Sequence, residues 1–307
     1  VLDVSRRITV LRRGAVEFRC DTQDADPVAL TRAIVGDDPA ATPATTASAP
    51  DAGDAVRDSE AGEVRLSVRG LSLQEGRTPL RDITFDLRAG EILAVAGVDG
   101  NGQDELVEGL AGLAAAATGS VRLEGRDVTN CSVRERWDLG LAVLPGDRSR
   151  NGLWPDASVW ENLALREFGA AWARGFAGTV DPARHRARAE ELVARHDIRT
   201  PGINVPVRSL SGGNGQKLLF ARELAGEPRV LVVQNPTRGL DVGAARALHA
   251  ALRARRDAGC SVLLISTELE EVLEIGDRHA ALNGGRLREG RGDAASLGAL
   301  MLREDAA

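Results

Sequence analysis

Short apolar runs recur along this chain with room for a helix between them, and the most strictly apolar are Ile92 to Ala96, Val230 to Val233 and Val262 to Ile265. Runs this short and this apolar suit strands covered on both faces. Glu63 to Val68, Ile83 to Leu87, Val121 to Leu123 and Leu141 to Leu144 extend the series. Interleaved with longer patterned segments, they predict an α/β domain with a largely parallel inner sheet.

Composition narrows the function classes. The chain has 307 residues, 43% hydrophobic and 27% charged, enough for one large or two small globular domains. A net charge of -6 argues against a general binder of nucleic acid or anionic membranes. No apolar run approaches the roughly 20 residues of a spanning helix. Cys20, Cys131 and Cys260 are odd in number, far apart and without metal-ligand spacing, which suits small apolar residues in a reducing compartment. Lys217 is the only lysine, so any motif needing lysine elsewhere is excluded. The chain opens on Val1 and its only methionine is Met301, so the expectation is a piece of a longer protein.

Residues 37–60 read DDPAATPATTASAPDAGDAVRDSE, too poor in large apolar side chains to fold, and are expected to be a disordered linker. From about 130 to 200 the pattern is mostly helical, including Pro182 to His196 with Asp181 as N-cap, which suggests an inserted helical subdomain with a solvated basic face. A faint echo joins the two ends. Arg7, Leu11 and Gly14 keep the spacing of Arg278, Leu282 and Gly285, and Asp26 and Leu30 that of Asp293 and Leu297, as the tail of an earlier copy of the domain would.

Three motifs carry chemistry. Behind Ile92 to Ala96 comes Gly97-Val98-Asp99-Gly100-Asn101-Gly102-Gln103-Asp104, then a helical pattern, the arrangement in which glycines turn backbone N–H groups toward an anion. Its glycines Gly97 and Gly102 match GxxxxGK[ST], while Gln103 and Asp104 stand at the lysine and hydroxyl positions. The cation and the magnesium-binding hydroxyl are therefore missing, and a carboxylate at Asp104 opposes phosphate; Asp104 and Glu105 are expected to satisfy the helix dipole instead.

The second motif is Leu210-Ser211-Gly212-Gly213-Asn214-Gly215-Gln216-Lys217, a hydroxyl and bare backbone at a helix start. The third follows Val230 to Val233: Gln234-Asn235-Pro236-Thr237-Arg238-Gly239-Leu240-Asp241. A nucleotide hydrolase needs a carboxylate for magnesium and another to polarise water at that strand end, and both are amides here. The run Val262 to Ile265 then leads into Ser266, Thr267 and Glu268.

In this order and spacing the residues resemble the nucleotide-binding domain of ABC transporter ATPases, most of all the second half of the double-length ATPases of simple-sugar and nucleoside importers. The resemblance covers about residues 63 to 305. LSGGNGQK resembles the signature, PTRGLD the run into the D-loop with Asp241, and DASVWENLAL after Pro145-Gly146-Asp147-Arg148 the permease-facing region, which would include Trp154, Val159 and Trp160.

The resemblance implies a P-loop NTPase-like α/β fold with a parallel inner sheet, an antiparallel β part and a helical subdomain. Residues 1–36 would be the tail of a missing first domain, 37–60 the linker and 61–307 the second domain. Ser211, Gly212, Gly213 and Asn214 would serve, in trans, a site whose ATP and Mg2+ are held mainly by that first half. The local loop, with Gly97, Gly100, Gly102, Gln103 and Asp104, would be degenerate, as would Gln234, Asn235 and Thr267, the last standing where the family often has histidine. The glutamate common in the PEDR segment is here Gly146. None of the four histidines supplies the switch, no catalytic residue is intact in this half, and no metal site is assigned to it.

Implied partners are two integral-membrane permeases and, indirectly, an extracytoplasmic substrate-binding protein, at the cytoplasmic face of the cell membrane, with no nucleic acid. The alternatives are a non-hydrolysing pseudo-ATPase scaffold and a soluble ABC protein outside transport.

Overall fold

The computed structural model describes residues 6–12, 15–25, 62–167 and 181–302. The expected linker at 37–60 and much of the expected tail at 1–36 lie outside them. Contacts divide the chain into two units, one of residues 1–55 with 241–246 and one of residues 56–240 with 247–307.

In the first unit, β1 (Arg7–Arg12) and β2 (Ala15–Asp21) form an antiparallel hairpin in which Arg12 pairs with Ala15 and Arg7 with Asp21. Ile8 and Val10 alternate onto its buried side.

The second unit opens with β3 (Val64–Leu73), β4 (Leu80–Arg88) and β5 (Ile92–Ala96), followed by α1 (Gln103–Ala111), β6 (Thr118–Leu123) and β7 (Arg126–Asp127). Next come α2 (Val133–Asp138), β8 (Leu141–Leu144), α3 (Val159–Ala164), α4 (Pro182–Arg195) and α5 (Gly212–Leu224). The chain continues through β9 (Val230–Gln234), α6 (Val242–Asp257, which begins in the first unit), β10 (Ser261–Ser266), α7 (Leu269–Ile275), β11 (Arg278–Asn283), β12 (Arg286–Gly290) and α8 (Ala294–Leu302). β3, β4, β6 and β7 make an antiparallel sheet. A six-stranded sheet has the order β12-β11-β5-β10-β9-β8 and is parallel throughout except for β12 at its edge.

Both faces of that sheet are covered, so β5 and the middles of β9 and β10 are apolar. Leu93, Val95, Val232 and Ile265 pack with Val68, Phe85 and Leu106 on one side. Ala94, Val233 and Leu264 pack with Leu219, Phe220, Leu252 and Val272 on the other. Cys260 lies in the second layer, where burial pushes its thiol up to about 11. The β11–β12 hairpin pairs Asn283 with Arg286, one strand beginning at Arg278, just as β1 begins at Arg7 and closes by pairing Arg12 with Ala15. Of the sequence echo, Arg7 and Leu11 thus fall on the first strand of one antiparallel hairpin and Arg278 and Leu282 on that of another, while Gly14, Asp26 and Leu30 lie outside the described residues.

Among its described residues, the stretch expected to be mostly helical holds one strand, at the apolar run that predicted it, and residues 168–180 lie outside the described residues. Leu141–Leu144 joins the parallel sheet as β8, and Leu139 and Leu141 belong to the central core. The separate helical core is built by Val159, Leu163, Ala189, Leu192, Ile198 and Val207 against Leu218 and Ala221 of α5. Helix α4 begins where expected, with Pro182 first and the Asp181 carboxylate accepting from the N–H groups of Ala183 and Arg184, a cap of about 1 kcal/mol. The carboxylates of Glu191 and Asp181 pair with its arginines Arg188, Arg195 and Arg184.

One buried cation fixes α1. Arg136 is 1% exposed and its guanidinium donates to the carbonyls of Gly109 and Leu110 at 2.7 Å each and of Thr129 at 2.9 Å. The first two belong to the last turn of α1, which lacks intrahelical donors and carries partial negative charge. Removing the guanidinium takes a donor from all three carbonyls and leaves that of Gly109 with the Gly112 N–H at 3.3 Å. Arg136→Met is therefore expected to lower the unfolding free energy by about 3 kcal/mol in urea titration, whereas Arg134→Met, at an exposed ion pair with Asp138, changes it by less than about 1 kcal/mol.

Candidate functional site

Parallel pairing aligns the ends of three strands. Ser266 lies opposite Ala96, and Ile265 opposite Gln234, so the residues that follow β5, β9 and β10 emerge side by side. The junctions are bonded: the N–H of Gly97 donates to Ser266 and that of Asn235 to Ile265. The glycine-rich loop, the amide pair and Thr267 thus form one cluster at the carboxyl edge of the sheet, the usual place for ligands in open α/β folds.

The loop is closed by its own side chain. Gly100 and Gly102 take φ of 85° and 106°, and Gly102 stands at the N-cap of α1. Gln103 is 4% exposed; its Nε2 donates to the Val98 carbonyl at 2.8 Å and its Oε1 accepts the Asn101 N–H at 2.8 Å. The carboxamide thereby occupies the hollow of the loop. A Cβ on Gly97 would meet Gln103 Nε2 at 2.5 Å. Asn101 tethers the loop to the β11–β12 turn, its Oδ1 accepting from Gly284 and its carbonyl from Gly285.

The carboxylates following the loop do more than face the helix dipole. Buried Glu105 accepts from the N–H groups of Arg77 and Thr78 at 2.6 and 2.9 Å, fastening the β3–β4 connection to the loop. Asp104 Oδ1 accepts from Gln234 Nε2 at 2.6 Å, and Gln234 Oε1 accepts the Gly146 N–H at 3.1 Å. The amide orientation is unambiguous, because turning it over would set oxygen against carboxylate and NH2 against N–H. Asn235 adopts φ of 43°, a left-handed conformation that asparagine tolerates, and its Oδ1 accepts from the Thr267 N–H at 2.9 Å.

This donor set does not fit a magnesium ion. Magnesium takes oxygen ligands in octahedral geometry, in P-loop enzymes a Ser or Thr hydroxyl with a strand-end carboxylate. Here the strand-end group is an amide whose NH2 already meets the one carboxylate facing it. Among the described residues no cluster of three or more His, Cys, Asp or Glu has metal-binding geometry. A phosphate would also have to displace the Gln103 carboxamide.

The second glycine-rich start is open. Ser211 and Gly212 are exposed at the beginning of α5. Ser211 caps the helix, its Oγ accepting from Asn214 Nδ2 at 2.9 Å and more weakly from the Asn214 N–H at 3.4 Å. Asn214 Oδ1 in turn accepts from the Arg199 N–H. Gly213 has only a Leu240 methyl near a would-be Cβ, at 4.0 Å. A Cβ on Gly212, by contrast, would meet an Arg148 guanidinium nitrogen at 2.6 Å, and Arg148 also donates to the Arg238 carbonyl at 3.1 Å. Arg148 thus braces the signature-like turn against the segment leading to Asp241.

Asp241 lies just before α6, where its Oδ1 accepts from the Ala244 N–H at 2.8 Å. The group expected to face a permease divides in the structure. Gly146 lies against Gln234, and Pro145 lines a cleft of about 300 Å3 with Asp104 and Gln234. Asp147 caps the turn at 148–152 by accepting from Ser149 and Arg150. Trp154 is 59% exposed, whereas Val159 is wholly buried in the helical core and offers no surface to a partner. Trp160 is half-buried with the Arg186 guanidinium 5.0 Å from its ring centroid.

The sequence reading missed the contacts made by Gln103, Arg148 and Glu105. Only the unusual Asp104–Gln234 exchange carried a signal, since an acid on the loop and an amide on the strand reverse the expected polarity. A cavity of about 560 Å3 lies against Trp137, Arg166 and Glu223 and contains none of the glycine-rich motifs.

Comparison with known proteins agrees with this geometry. The ABC transporter family profile matches residues 80–238. The nucleoside import ATP-binding protein NupA of Lactococcus lactis is 37% identical over 287 residues, 93% of this chain and 54% of that protein. A ribose import ATP-binding protein of Rubrobacter xylanophilus is 38% identical over 94% of this chain and 54% of its own length. The guanosine import ATP-binding protein NupO of Bacillus subtilis is 35% identical over 92% and 53%. The chain thus spans about half the length of the curated relatives it matches. Among solved structures, a nucleotide-free ATP-binding cassette of an ABC transporter superposes with TM-score 0.61 at 21% identity, covering 75% of this chain and 92% of that one. A cassette in its ADP conformation gives TM-score 0.62 at 19% identity, covering 78% and 95%. With the parallel sheet, the antiparallel sheet, the helical part and both glycine-rich helix starts in place, the chain belongs to the ABC transporter family and carries the fold of its ATP-binding cassettes.

Proposed function

We propose that this chain is the ATP-binding, energy-coupling component of an importer for simple sugars or nucleosides, acting at the cytoplasmic face of the cell membrane. Its domain lends Ser211, Gly212, Gly213 and Asn214 to a nucleotide site completed by another ABC domain, which holds ATP and Mg2+ and hydrolyses the nucleotide. Its own site, with Gln103, Asp104, Gln234, Asn235 and Thr267, is inert, and this chain alone turns over no ATP.

The observation that carries this reading is the contrast between the two helix starts. The loop before α1 is filled by Gln103, whereas Ser211 and Gly212 before α5 face outward. Backbone N–H groups and a hydroxyl at an open helix start stabilise negative charge. The import names of the relatives support the transport setting, with two permeases and a substrate-binding protein as partners.

Within the same reading the other ABC domain precedes this one in the polypeptide. Residues 1–36 are its tail, 37–60 a linker, and 61–307 the second domain, with Asp241 in the D-loop. The like build of the β1–β2 and β11–β12 hairpins supports this, as does the half-length match. Pro145, Gly146, Asp147 and Arg148, with Trp154 and Trp160, make up the permease-side segment.

In the assembled transporter, Gly212→Asp is expected to reduce ATPase activity and uptake at least about 100-fold, because its side chain displaces Arg148 and puts a carboxylate where an anion approaches. Gln103→Ala should leave both within about twofold. The opposite ranking, in ATPase and uptake assays with folding checked by circular dichroism, would reverse the roles of the two loops. A second comparison concerns attachment. Trp154→Ala should weaken co-purification with the permeases while changing stability by less than about 1 kcal/mol, and Val159→Ala should cost about 2 kcal/mol through the cavity it leaves.

A further inference from the structure

We propose that the Asp104–Gln234 hydrogen bond stands in place of a divalent cation, so that this P-loop is joined to the tip of β9 permanently and without metal. The inference rests on the reading of this site as non-hydrolytic and goes beyond it, since loss of catalysis alone would leave the metal position merely vacant or weakened.

The physical case is one of paired polarity. A hydroxyl on the loop helix and a carboxylate on the strand end are both oxygen ligands, held together by the ion between them. Here the helix bears the carboxylate and the strand the amide, and the two groups meet directly at 2.6 Å. Either replacement alone would be costly: Asp104 opposite a carboxylate repels, and Gln234 opposite a hydroxyl loses the charge-assisted character of its bond. Together they need no ion. Gln234 is 6% exposed, and its second amide atom is also engaged, accepting from Gly146. The joint therefore reaches from α1 through β9 to the segment bearing Arg148, the residue that braces Gly212.

The test reverses the polarity in the full chain and reads thermal unfolding with and without Mg2+ at matched ionic strength. Gln234→Glu sets two carboxylates face to face and should lower Tm by roughly 5 °C. Millimolar Mg2+ should restore much of that loss, because facing carboxylates form a cation site. Adding Asp104→Asn should also restore it, now without dependence on Mg2+, since the Asn amide can donate to the new carboxylate. The unaltered chain should show no saturable Tm response to Mg2+. Two results would overturn the proposal: a saturable Mg2+ response in the unaltered chain that Asp104→Asn abolishes, or a double variant no more stable than Gln234→Glu. Failure of the underlying non-hydrolytic reading would look different, as Mg2+-dependent ATP turnover by this chain that is lost in Gln103→Ala.

Discussion

Parallel pairing of β5, β9 and β10 is the constraint on which the rest depends. Strands paired in this register, covered on both faces, end at one edge, and every candidate group after them must emerge there. Gly97, Asn235 and Thr267 come from distant parts of the chain, yet the ladder leaves each a single place to be. Arg136 adds a second restraint from below by holding the last turn of α1, so the helix that begins at Gln103 is fixed at both ends.

At that edge, the candidate groups hydrogen-bond to one another inside the protein. Gln103 satisfies the Asn101 N–H and the Val98 carbonyl, Gln234 satisfies Asp104 and Gly146, and Asn235 satisfies the Thr267 N–H. Buried polar groups left unpaired are expensive, so a loop that gives up its ligand is stable only when other partners take over. Three amide side chains do this here. The α5 start has no such filling, and its Ser211 and Gly212 remain at the surface.

Much of this was legible in the sequence because its cause is local. Apolar runs gave strands within a few residues, proline after aspartate gave the start of α4, and glycine spacing located both helix starts. The rest depends on partners far away in the chain. Asp104 looks misplaced until Gln234 is set beside it, and Arg148 reads as part of a surface segment until its guanidinium is seen against Gly212 and Arg238. Val159 follows an apolar pattern that a surface patch and a small core share; only packing with Leu163, Leu192 and Leu218 decides between them. Leu141–Leu144 forms the strand its apolar run predicted, although it lies inside a mostly helical stretch, and its place at the edge beside β9 is set by pairing with a distant segment.

The central claim is that this domain serves a neighbour's nucleotide while its own site takes no metal. The most direct measurement is Mn2+ titration of the chain in the presence of ATP, followed by electron paramagnetic resonance. The account predicts that the chain adds only weak surface binding to the Mn2+ taken up by ATP itself, unchanged by Asp104→Asn. One tight, stoichiometric Mn2+ site that disappears in Asp104→Asn would contradict it.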